Sequence, residues 1–197
     1  MKKILIFISV LTALSFTDSL VGKTSVTIAP TSKLFIIGKT NVNSFKCHYD
    51  ILKINKPIPV AFKKQGDRIT FEKTTLVLDN MNFDCGGPGI NNDFQELLKT
   101  KTYPRVFIRL NEIVKDRDNE NLLQALVDLE IAGVTKSYTV PVTFKEEGVT
   151  SVKGVTSVKG VLALNIRDFN LEPPKKALGM IVVKDVIEIN FDLAIKK

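Results

Sequence analysis

The sequence predicts an all-β fold: an antiparallel sheet of about eight strands closed into a barrel, with one or two short helices. Three observations carry the prediction. Segment after segment alternates apolar and polar residues with period two, and only one segment shows helical spacing. So many strands with so little helix leave no second layer to cover the apolar faces, so the sheet must close on itself or stack as a sandwich. Closure also removes exposed edges, and eight strands enclose an interior that side chains fill or that holds one small ligand.

Residues 1–22 read as a secretory signal. Lys2 and Lys3 precede an apolar run, ILIFISVLTALSF, too short to span a bilayer, and the small residues Thr17, Ser19 and Gly22 follow it. Residues 23–197 then form one domain. No later run approaches membrane-spanning length, so the mature chain has no transmembrane segment. A membrane barrel would need aromatic girdles, and the chain has no Trp and three Tyr.

Along the domain, strands are expected at 25–28, 33–40, 44–54, 68–78 and 105–114, then at 122–131, 138–144, 161–169 and 185–195. The clearest is DVIEINFDLAI, in which Ile187, Ile189, Phe191, Leu193 and Ile195 share one face. In NNDFQELLKTK, residues 91–101, Phe94, Leu97 and Leu98 fall at helix spacing behind Asn and Asp capping candidates. Tyr103-Pro104 ends that helix, and a second short turn is expected near residues 173–180. The tandem GVTSVKGVTSVKG, residues 148–160, reads as a lengthened hairpin tip, and its even repeat preserves strand facing.

The net charge of +7 is spread over scattered lysines with few arginines, which describes a solvated surface and not a nucleic-acid stripe. One His and two Cys fall short of a four-ligand metal site. His48 follows Cys47 directly, and neighbours on a strand face opposite ways, which argues against a catalytic pair. CGGPG lacks the Lys-Ser/Thr of a phosphate loop and the spacing of a dinucleotide fingerprint, and reads as a sharp strand-to-helix turn. No catalytic residue, cofactor or metal is expected, and the protein is read as a non-enzyme. In an exported chain Cys47 and Cys85 are most simply a disulfide, with free thiols or an intermolecular bond as alternatives. Twelve Phe, several on inward faces, suit either a packed core or an apolar pocket.

Three stretches in series resemble the YceI-like family of exported, lipocalin-like barrels: SKLFIIGKTNVNSF, NNDFQELLKTKTYPRVFIRLNEI and GVLALNIRDFNLEPPKKALGMIVVKDVIEINFDLAI. The middle one is similar to the family's helix, then YP, then strand unit. The resemblance implies an eight-stranded barrel whose lumen sequesters or carries a long-chain isoprenoid or other apolar lipid, in a periplasmic or secreted protein that is a monomer or homodimer. It also implies that Cys47 and Cys85 tie the strand after the first hairpin to the DCGG turn. Inward alternation on the matching segments gives Phe45, Phe71, Phe94, Leu97, Phe107, Phe144 and Phe169 as the expected ligand-binding residues. The competing reading is a structural or interaction barrel with a packed core and no ligand.

Overall fold

The period-two alternation pairs into one antiparallel sheet that returns to its starting strand. The computed structural model describes residues 20–116, 119, 122–146, 155–173, 175–176 and 180–197. The strands are β1 (Leu20–Ile28), β2 (Lys33–Thr40), β3 (Ser44–Tyr49), β4 (Ile58–Gln65), β5 (Arg68–Asp79) and β6 (Phe83–Asp84). After helix α1 (Pro88–Leu97) come β7 (Arg105–Lys115), β8 (Leu122–Ile131), β9 (Val134–Glu146), β10 (Val155–Asn165), β11 (Lys175–Lys176) and β12 (Ile181–Lys196).

Eight strands form a ring in the order β1-β4-β5-β7-β8-β9-β10-β12, and β12 closes it onto β1. The closure is short: only Thr27 and Ile28 pair, with Lys196 and Ile195. The chain then steps through residues 29–32 and resumes along the same edge of β12 as β2, from Lys33↔Asp192 to Thr40↔Val183. Ser32 secures the step, because its buried Oγ accepts from Ala194 N at 2.9 Å. Strands β3 and β6 extend the wall beyond β2. The end of the barrel that carries the β2–β3 hairpin, the β8–β9 hairpin and the start of β12 is termed the upper end.

Two of the inward Phe side chains are placed by a glycine directly opposite on the neighbouring strand. Phe45 faces Gly38 and Phe191 faces Gly160. A Cβ on Gly38 would stand 2.1 Å from the Phe45 ring, and one on Gly160 2.5 Å from that of Phe191. Bare backbone at these positions lets each ring lie flat across the sheet.

Several element boundaries differ from those the sequence suggests, each for a local reason. Strand β4 goes unsignalled behind Pro57 and Pro59. Proline is tolerated there because pairing with β5 begins only at Ala61. The expected strand 44–54 breaks at Asp50, whose Oδ1 accepts from Leu52 N at 3.1 Å and opens a 3-10 turn, Ile51–Lys53. Helix α1 starts at Pro88, ahead of residue 91, since proline suits the first helical position. Strand β10 begins at Val155, so residues 155–159 of the second GVTSVK copy are barrel wall with Val158 buried, not hairpin tip. Its other end stops at Asn165, which caps a 3-10 turn, Ile166–Phe169, by accepting from Arg167 N at 2.9 Å. The first repeat copy and half of the turn expected at 173–180 lie outside the described residues. So does the expected signal up to residue 19, while Leu20–Gly22 open β1.

Candidate functional site: an apolar lumen

The upper end is closed by pieces that are not ring strands. The disulfide Cys47–Cys85 forms within the chain and fastens β3 to the turn after β6. Asn91, in the first turn of α1, braces that turn. Its Oδ1 accepts from Cys85 N at 2.6 Å, and its Nδ2 donates to Asp84 Oδ1 at 3.1 Å. Gly86 N donates to the same carboxylate at 3.0 Å, and this bond, followed by that of Asn91, holds Asp84 below the usual carboxylate range. At the other end of the helix the buried Asn80 donates to Tyr103 O at 2.8 Å and ties β5 to the turn after α1.

So positioned, α1 lays Phe94 against Phe83, with ring centroids 5.2 Å apart, and Tyr49 meets Phe83 edge-on at 4.9 Å. A second closure follows from strand register. Among the described residues, strands β9 and β10 pair from Thr156↔Glu146 to Gly160↔Val142. Above Gly160, the wall between them is a seam plugged by the 3-10 turn. Phe169, fully buried, stacks on Tyr138 of β9 at 6.3 Å, and Ile166 and Leu171 flank it.

These closures bound a cavity of about 60 Å³. Among the described residues, every one that lines it is apolar. The walls come from β2 (Leu34, Ile36), β5 (Leu78), β7 (Val106, Ile108), β8 (Leu129, Ile131) and β12 (Val183, Ile187, Ile189). The roof comes from Phe45, Phe83, Phe94, Leu97, Leu98, Ile166 and Leu171. Such a space can hold only apolar matter, because a polar ligand would lose its water without replacement.

Of the residues expected from the sequence, the structure gathers Phe45, Phe94 and Leu97 at this cavity. Phe169 belongs to the plug beside it. The other three lie elsewhere. Phe107 sits between the lining residues Val106 and Ile108 and therefore faces out of the barrel. Phe144 is exposed near the lower end of β9, and Phe71 pairs with Phe62 on the β4–β5 hairpin, away from the cavity. Apart from Phe83, the lining residues missed are aliphatic, chiefly Leu34, Ile36, Leu129, Ile187 and Ile189. Their signal lies in the same alternation that marks the strands, which does not by itself separate cavity lining from packed core.

Fold and site together define a class: an antiparallel barrel of lipocalin type whose interior holds an apolar chamber and whose wall bears a disulfide. Comparison with known proteins gives the family. The YceI-like domain matches residues 31–195, and the chain belongs to that family. Among solved structures, Burkholderia cenocepacia BcnA is similar at 22% identity and a TM-score of 0.58, over 84% of this chain and 96% of that one. A polyisoprenoid binding domain from Saccharophagus degradans, implicated in plant cell wall breakdown, aligns at 13% identity and a TM-score of 0.59, covering 87% and 97%. A Campylobacter jejuni YCEI protein aligns at 17% identity and 0.52, covering 64% and 73%. At these identities the likeness is one of fold. A sequence search of curated proteins found no match.

Proposed function

We propose that the protein is an exported carrier that holds a long-chain isoprenoid or similar lipid in its lumen and catalyses no reaction. The observation that carries the proposal is the cavity inside a closed barrel, lined among the described residues by apolar side chains alone. Family membership supports it, as does the polyisoprenoid binding of the Saccharophagus degradans domain that shares the fold. The intramolecular disulfide fits an oxidising compartment, periplasmic or extracellular, and so supports export. Enclosing an apolar chain gains about 25 cal/mol per Å² removed from water.

The chamber is several-fold smaller than the roughly 300 Å³ at the low end of ligand pockets. Loading a long chain therefore requires side chains to part. The β9–β10 seam is the natural place, because plug contacts rather than a hydrogen-bonded ladder hold it shut. Mass spectrometry of an organic extract of protein purified from its native host tests the proposal. A stoichiometric isoprenoid-like lipid is expected, and protein that emerges lipid-free and fails to take up added isoprenoid overturns it.

A further inference from the structure

The rung of the barrel directly under the cavity carries two buried hydroxyls without partners. Register places Thr74 opposite Leu110, Leu110 opposite Val127, and Val127 opposite Tyr138, so both hydroxyl residues stand on one rung across four strands. Both have inward parity: Thr74 with the lining residue Leu78 on β5, and Tyr138 with the buried core residue Val140 on β9. The rung lies one inward step below the lining residues Ile108 and Leu129. Among the described residues, neither Thr74 Oγ1 nor Tyr138 Oη has a hydrogen-bond partner, and both atoms are sealed from solvent. Thr74 as a whole is only 9% exposed. A buried hydroxyl left unpaired costs about 1–3 kcal/mol, and two at one level under an otherwise apolar chamber call for a shared explanation.

We infer that Thr74 and Tyr138 form a polar subsite at the floor of the lumen, which receives the neutral oxygen-bearing end of the bound chain, an alcohol or carbonyl, with the tail rising into the apolar chamber. This rests on the lipid-carrier reading and specifies which end of the lipid goes deepest. Tyr138 is a donor here, since burial, and secondarily the charge of Asp168, push its hydroxyl above the ordinary value and keep it protonated. Thr74 can donate or accept. A charged phosphate does not suit the floor. Asp168 lies on the Tyr138 side, and Lys136, the nearest cation of the same parity on β9, is exposed beside the seam. An anion on the floor would be buried without a counter-charge.

The test uses three C15 probes on delipidated protein by calorimetric titration: farnesol, the hydrocarbon farnesene and farnesyl monophosphate. Wild type is expected to bind farnesol about tenfold tighter than farnesene, and the phosphate more weakly than the alcohol. Thr74→Val and Tyr138→Phe preserve shape and, for Tyr138, the stack on Phe169. Each should reduce the alcohol preference by several-fold, and the double variant should bring it to about one, with farnesene affinity unchanged. Equal binding of farnesol and farnesene by wild type overturns the subsite and leaves the apolar carrier standing. Preference for the phosphate also overturns it. Failure of all three probes to bind overturns both readings.

Discussion

The two ends of the barrel are built from the same alternating strands yet are filled in different ways. In the lower half, Ala125, Val140, Val142 and Val158 form a second core from three neighbouring strands. Short side chains there meet across a continuous ladder, and no plug is needed. In the upper half the β9–β10 ladder ends at Gly160↔Val142, and a helix, a disulfide turn and a 3-10 plug close the space with large rings. Small residues on paired strands seal a barrel, whereas borrowed elements leave a residual cavity. That contrast separates the half that supports the fold from the half proposed to bind.

The largest effect should come from the plug. Phe169→Ala is expected to cost about 3–5 kcal/mol in urea unfolding, since the ring is fully buried against Tyr138. A loss below about 1 kcal/mol would mean that the plug does not hold the seam. Next is the disulfide. Cys47→Ala combined with Cys85→Ala should cost about 2–4 kcal/mol, and reductant should shift the wild-type unfolding midpoint similarly while leaving the variant unmoved.

The sharpest comparison enlarges one valine in each half. Val140→Leu in the tight lower core should cost about 1–3 kcal/mol. Val106→Leu at the cavity wall should cost under about 1 kcal/mol and reduce lipid uptake, since it grows into empty space. Equal costs would erase the distinction between the halves.

Much of the fold was legible in the sequence. The faultless alternation of residues 185–195 marked β12, and Lys33–Thr40 and Leu122–Ile131 form strands with the bounds their patterns suggest. Cys47 and Cys85 pair as the compartment reading allowed. What local pattern could not show is where pairing stops. Nothing in YTVPVTF reveals that β9 loses β10 above Val142, and LNIRDF reads equally well as strand until Asn165 caps a turn. The lumen suffered similarly: Phe45, Phe94 and Leu97 were recognisable, but Phe107 fell on the outer face, because one step in register reverses a side chain's direction.

The smallest effect is electrostatic. The hydrogen bond from Lys159, at 2.7 Å, holds Asp192 below the usual carboxylate range, and Ser157 adds a second bond. A depressed folded-state pKa gives stability that is fully present above the unfolded value of about 3.9. That stability is lost as pH falls through the folded value. The pair is largely solvated, so screening keeps its contribution small. Asp192→Asn should slightly lower the urea midpoint at neutral pH, and the difference should vanish near pH 2. A difference that persists in acid would assign the effect to packing.

The most direct test of the lumen uses the absence of tryptophan from the chain. Phe45→Trp places a single reporter on the cavity roof, and Phe144→Trp places one on the exposed lower part of β9. On titration with farnesol, the Phe45→Trp emission should shift to the blue and saturate, while that of Phe144→Trp stays constant. If both reporters respond alike, or if neither does, the barrel does not take its lipid into the upper chamber.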